Sequence, residues 1–235
     1  MYDTLVTDES DLTPRLGSRG DLIANEIKRA ILSGRYKAGS PLVETAIAAE
    51  LGTSKTPVRE ALKVLSGTGL VSSSSHRGTS VRAVDAEMAL GVCDLRLLLE
   101  PEAVRRTVAG RLDTAAFKAA LGRMAAAEEL GDVYERSAAN RAFHRQLYAG
   151  CANAVLVEVL DGLTDVNALI SVTVWERTRS FTAEAAEHHK MAKDALAGRA
   201  EAAADRLRLH IELFQQRVVQ ALAGQPDPRR ERGRI

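Results

Sequence analysis

The sequence holds only two cysteines, Cys93 and Cys151, far apart in the chain. That number builds neither a disulfide framework nor a cysteine-based zinc cluster, so both read as ordinary buried thiols. No apolar run approaches the roughly 20 residues that a membrane-spanning helix requires. The first fifteen residues contain Asp3, Asp8, Glu9 and Asp11 and lack the apolar core and cleavage site of a signal peptide, so the expected location is cytoplasmic, with no membrane partner. Net charge is nearly absent: 32 Lys and Arg against 31 Asp and Glu leave a formal +1, which excludes a chain coated in basic residues. Proline is missing between Pro101 and Pro226.

What is present divides the 235 residues unevenly. At about 150 residues per domain, the length suits a small module joined to a larger one. Thirty of the 38 alanines lie after Asp85, and the proline-free stretch there has almost nothing except glycine to stop helices. Gly110, Gly131, Gly150 and Gly198 sit where helix C-termini belong, which predicts six amphipathic helices near 87–109, 113–130, 132–149, 152–176, 181–197 and 199–222. Between Gly17 and Asp85 the pattern differs. Ile23, Ile27, Ala30 and Ile31 mark a helix ending at Gly34, and short helices follow at 44–51 and 55–67 across Gly52-Thr53-Ser54. After Gly69, Leu70-Val71 and the alternating Thr79 and Val81 predict a hairpin with His76-Arg77-Gly78 at its turn. The expected fold is mainly α: a winged helix-turn-helix at 17–85 and an all-α antiparallel helical bundle at 86–224. A flexible segment at 1–16 and a disordered basic tail at 225–235, with four arginines, flank them.

The small module carries ten Lys or Arg against six Asp or Glu, an excess suited to an anionic partner. Lys55, Arg59 and Lys63 are four residues apart and drift only about 40° per step, so one helix face is a cationic stripe. Val58, Leu62 and Leu65 lie opposite, and their burial turns the stripe outward, as a helix laid in a DNA major groove requires. Ser54 is placed to cap the helix, and Pro57 sits in its first turn, where a missing N–H costs little. Arg59 has the reach to contact a guanine edge, while Ser54, Lys55 and Thr56 are placed for phosphates. His76, Arg77 and Gly78 put a cation and a pliant backbone beside that helix.

These residues form a recognisable pattern. Gly34-x4-Gly39-x2-Leu42, then Ala48-x2-Leu51-Gly52-x-Ser54-Lys55-Thr56-Pro57-Val58-Arg59-Glu60-Ala61-Leu62, then Gly69-Leu70-Val71 with Arg77-Gly78 resembles the GntR family of bacterial transcriptional regulators over residues 19–84. The resemblance implies a homodimer binding a palindromic double-stranded operator, with repression relieved by a ligand. Two departures are Thr45, where many members carry arginine, and the polar wing strand Ser72 to Ser75. Leu95-Arg96-x2-Leu99-Glu100-Pro101, Asn140-x2-Phe143-His144-x2-Leu147-Tyr148-x4-Asn153 and Glu187-His188 followed by His210 are similar to the FadR-type effector domain, known as FCD. Many members hold a divalent metal there, and the resemblance points to Asn140, His144, His188 and His210.

The residues support that set separately. Asn140 and His144 are four apart and share a helix face, and His210 is in line with Leu207 and Phe214, so it points inward. His188 lies on the apolar side of its helix, whereas His189 is nearer the edge, although aligning Asp194-Ala195-Leu196 with the family would favour His189. An ion such as zinc, nickel or manganese held by three imidazoles and the neutral Asn140 amide keeps most of its charge and favours a small carboxylate effector. Arg96 is placed either to bind that carboxylate or to pair with Glu100 one turn on. A metal-dependent hydrolase built on the bundle is the alternative function. Glu187-His188-His189 invites it but lacks the His-Glu-x-x-His spacing, and no nucleophile has an evident base partner, so no enzyme activity is expected.

Overall fold

The computed structural model describes residues 19–74 and 78–222. The expectations for residues 1–16 and 225–235, and for His76 and Arg77, lie outside the described residues. Among those described are nine helices and one two-stranded sheet, and no helix is long and apolar enough to cross a membrane.

The head begins with α1 (Arg19–Leu32), α2 (Glu44–Glu50) and α3 (Lys55–Gly67), followed by β1 (Val71–Ser74) and β2 (Gly78–Val81). Ile23, Ile27 and Ile31 of α1 meet Val58, Leu62 and Leu65 of α3 in a core closed by Leu42, Ile47, Leu70 and Val81. The two strands pair antiparallel from Val71↔Val81 to Ser74↔Gly78. The segment before α2 runs along the other edge of β2: Leu42 N–H donates to the Thr79 carbonyl (2.8 Å) and Val81 N–H to the Ser40 carbonyl (2.9 Å). The polar wing strand has a simple reason. Only Val71 of β1 reaches the core, and Ser72, Ser73 and Ser74 are exposed, so β1 becomes a solvent-facing ribbon after its first residue.

Asp85 ends the head, and its carboxylate accepts from Met88 N–H (2.8 Å), capping α4 (Ala86–Gly110). The bundle continues through α5 (Thr114–Leu130), α6 (Val133–Tyr148), α7 (Ala154–Thr178), α8 (Phe181–Leu196) and α9 (Ala200–Leu222). Side-chain caps start three of these: Asp113 on α5, Asp132 on α6 and Asn153 on α7. Such caps are worth about 1 kcal/mol each. α9 runs antiparallel to α4, since Gln215 donates to Asp94 (2.8 Å) while Arg105 approaches Glu201 (3.9 Å). Cys93 and Cys151 are buried free thiols, and burial pushes the Cys93 thiol up to about 11.

The glycines separate into three kinds. Gly131 and Gly198 adopt left-handed φ values of 74° and 69°, which a C-terminal helix glycine supplies without steric cost. Gly110 is the last residue of α4. Gly150 corrects the sequence reading: its φ is not positive, and a Cβ there would lie 2.3 Å from the carbonyl oxygen of Arg111. Close approach of two backbones requires glycine at this position.

The head rests on the bundle through α1, which contacts α6 and α7. Lys28 pairs with Asp165 (2.5 Å), Lys37 with Glu176 (3.0 Å), and the Arg29 guanidinium lies over the Tyr134 ring. Beside these contacts is a cleft of about 960 Å³ with Tyr36, Trp175 and Phe181 in its walls.

Candidate functional site

On the head, α3 buries Val58, Ala61, Leu62 and Leu65 and leaves Lys55, Arg59 and Lys63 exposed. The cationic stripe therefore faces solvent. Ser54 and Thr56 are exposed at its start, and Gly78, with φ 71°, opens β2. One expected detail is corrected. Ser54 occupies the cap position with extended backbone, but its side chain makes no cap hydrogen bond. The start of α3 is therefore set by the tight turn from α2 and by Pro57 rather than by a serine cap.

The charge pattern of α3 alone did not reveal Glu44. Arg59 Nε donates to Glu44 Oε1 (3.0 Å) and Nη2 to Oε2 (2.8 Å), and this pairing holds the Glu44 carboxyl below the usual carboxylate range. The carboxylate takes the Nε side of the guanidinium, so Nη1 remains available at its tip. Glu44 thereby holds one edge of the guanidinium. Its signal in the sequence was only that it opens α2, and no helical spacing links residues 44 and 59.

Inside the bundle, α6, α8 and α9 bring His144, His188 and His210 together, with one ligand-capable atom of each within 4.8 Å of the others. His144 Nε2 and His188 Nε2 are 3.2 Å apart. Desolvation first, then the neighbouring histidines and Arg96, hold both rings well below the usual imidazole value. Both are thus neutral near pH 7, the state in which a ring nitrogen offers a lone pair. His210 Nδ1 donates to Glu187 (2.7 Å), which leaves Nε2 turned to the cluster. Burial opposes the charge on Glu187, but hydrogen bonds from His210 and Arg217 outweigh it and bring its pKa to about 2. That carboxylate–histidine pairing is the outer-shell arrangement typical of metal ligands. His189 takes no part: it is exposed, and its Nδ1 lies 2.8 Å from the Ala185 carbonyl of its own helix.

Asn140 lies one turn before His144, and its Oδ1 is buried without a hydrogen-bond partner, as are Nδ1 of His144 and Nδ1 of His188. An orphaned buried acceptor such as Asn140 Oδ1 is costly, and a cation is one way to satisfy it. The donor set of three imidazoles and one amide oxygen suits a divalent ion of intermediate softness. Arg96 is buried and pairs with Glu100 through Nε (2.6 Å) and Nη2 (3.3 Å), while Nη1 donates to Asn167 (3.0 Å). Of its two expected roles, the intrahelical pair is the one the structure contains.

Comparisons with known proteins agree with this architecture. Residues 20–81 match the model of bacterial regulatory proteins of the gntR family, and residues 92–213 match the FCD domain. A probable D-xylose utilization operon transcriptional repressor of Paenarthrobacter nicotinovorans is 32% identical over 193 residues, covering 78% of this chain and 81% of that one. A putative GntR transcriptional regulator from Rhodococcus sp. RHA1 superimposes with a TM-score of 0.77 at 24% identity, covering 87% of this chain and 99% of that one. McbR/YncC of E. coli gives 0.72 at 22%, with the same coverage, and both structures share the fold. The chain belongs to the gntR family of bacterial transcriptional regulators, with a winged helix-turn-helix head joined to a helical FCD effector-binding domain.

Proposed function

We propose that the chain acts as a homodimeric repressor whose two heads grip a palindromic operator, and that a small carboxylate bound beside a divalent ion in residues 86–224 changes their relative placement. The observation that carries the DNA half is the outward face of α3, where Lys55, Arg59 and Lys63 are exposed over a helix anchored by four buried residues. Lys55, Lys63, Ser54 and Thr56 hold phosphates, Arg59, held at one edge by Glu44, reads a base edge, and the wing residues His76, Arg77 and Gly78 complete the contact. Repression is supported by the D-xylose operon relative, which is described as a repressor.

In the sensor half, Asn140, His144, His188 and His210 would hold the metal. Zinc, nickel and manganese all accept such donors, and the ion supplies an electrophilic centre for an anionic oxygen. The protein's own contribution is to keep the imidazoles neutral and oriented through Glu187 and burial. Nothing in the structure or the relatives favours the hydrolase alternative.

Dimerisation is supported by apolar side chains left in solvent: Leu95 and Leu98 on α4, Val155 and Val159 on α7. Gly91 and Gly162 on the same two helices have open space around them.

The test is fluorescence anisotropy with DNA from upstream of the protein's own reading frame and with random duplex. Wild type is expected to prefer the upstream DNA and to bind with a steep salt slope. Arg59→Ala is expected to reduce that preference by about tenfold or more, with little change on random duplex. Equal binding of both proteins to both DNAs would remove the proposal.

A further inference from the structure

Beside the histidine triad, α4, α6 and α7 enclose a cavity of about 20 Å³ lined by Arg96, Asn140, Arg141, His144, Thr164 and Asn167, among others. That volume holds about one water and no carboxylate, so an organic anion enters only if a lining side chain moves. Arg96 is a poor choice for that movement. Its Nε, Nη1 and Nη2 are all engaged, and the Glu100 carboxylate already neutralises it.

Arg141 is less engaged: it has a hydrogen bond with Tyr134, and Asp165 attracts it only from a distance. It follows Asn140 directly on α6, and its side chain is 15% exposed, at the edge of the cavity. Its Nη1 is buried with no hydrogen-bond partner, and the nearest carboxylate oxygen, Asp165 Oδ1, is 4.0 Å away, beyond hydrogen-bonding distance. The same Oδ1 is held instead by Lys28 of α1 at 2.5 Å. One carboxylate oxygen is thus shared between a cation of the sensor cavity and a cation of the DNA-binding head.

We propose that Arg141 is the residue that takes the effector's carboxylate, and that its neutralisation there leaves Asp165 to Lys28 alone, so that occupancy of the cavity tightens the tie between bundle and head. The inference rests on the reading that the bundle binds an organic anion beside the triad. An unpartnered guanidinium N–H gains a charge-assisted hydrogen bond that Asp165, at 4.0 Å, does not supply, so the incoming anion replaces only a longer-range attraction. The Lys28–Asp165 contact then conveys the event to α1, which packs on the recognition helix α3.

The test uses the full-length protein titrated calorimetrically with zinc and, once loaded, with succinate, citrate and inorganic phosphate. Wild type is expected to bind zinc and at least one of the two carboxylates. Arg141→Gln is expected to weaken carboxylate binding about tenfold or more while leaving zinc affinity within about threefold, and Arg141→Lys, which keeps the charge, to recover part of the loss. Lys28→Met is expected to bind the carboxylate nearly as wild type does but to lose the carboxylate's effect on binding to the upstream DNA. Undiminished carboxylate binding by Arg141→Gln, or equal loss of zinc and carboxylate, would overturn the assignment and leave the effector reading in place. Preference for phosphate over both carboxylates would likewise overturn it. Failure of wild type to bind zinc or any of the three anions would remove the effector reading itself, and this inference with it.

Discussion

His144 and His188 are buried as neutral rings, and this makes the stability of the metal-free chain sensitive to mild acid. Their folded pKa values lie well below the unfolded 6.5, so below that pH the unfolded chain binds more protons than the folded one. The stabilisation is complete above about pH 7 and is lost as pH falls through 6.5 toward the depressed values, with a slope of up to about 1.4 kcal/mol per pH unit for each ring. Thermal midpoints measured between pH 8 and 5.5 are expected to fall on the acid side for wild type. They should fall less steeply for His144→Gln. An unchanged slope in His144→Gln would show that other groups control this range. In the sequence the apolar side of α8 favoured His188, while aligning Asp194-Ala195-Leu196 with the family favoured His189. Packing against Phe143 and His210 separates them: the His188 ring lies 4.9 Å from Phe143 and 4.6 Å from His210.

At the level of elements, apolar periodicity, the missing prolines and the glycines were enough to predict the helices. The six expected in the bundle coincide with α4 to α9 to within two residues at each end, and the structure adds the caps Asp85, Asp113, Asp132 and Asn153 that start four of them. The role of Gly150 was not legible. It follows a helix as Gly131 does, one residue further on, yet the constraint on it comes from the carbonyl of Arg111, a residue 39 positions earlier in the chain. Gly150→Ala is therefore expected to destabilise the protein by about 2–3 kcal/mol, since the obstructing atom is backbone and cannot rotate away. Gly122→Ala, with open space at its Cβ on the exposed side of α5, is expected to be neutral or slightly stabilising. Equal denaturant midpoints for the two variants would contradict the close approach.

At the scale of the whole molecule, the exposed leucines and valines of α4 and α7 bear on assembly. Leu98 is 74% exposed on a helix whose other face is buried in the bundle. If this face joins two copies, sedimentation should show a dimer for wild type and a shift toward monomer for Leu98→Asp with its helical circular dichroism intact. A wild-type monomer at micromolar concentration would exclude the face as a dimer interface. The cleft of about 960 Å³ lies where the head meets the bundle, beside the Lys28 and Lys37 ion pairs that join them.

The sequence by itself determined the two-part architecture from its composition, and the outward cationic face of α3 and the shared helix face of Asn140 and His144 from spacing within one helix. Helical geometry converts such spacing directly into direction. The tertiary structure alone decided that Glu44 holds one edge of Arg59, that Arg96 is occupied by Glu100 and Asn167, and that Asp165 stands between Arg141 and Lys28. Apart from the Arg96–Glu100 turn, those contacts join residues 15 to 137 positions apart. Their distances are fixed by how helices pack on one another, which no local period encodes.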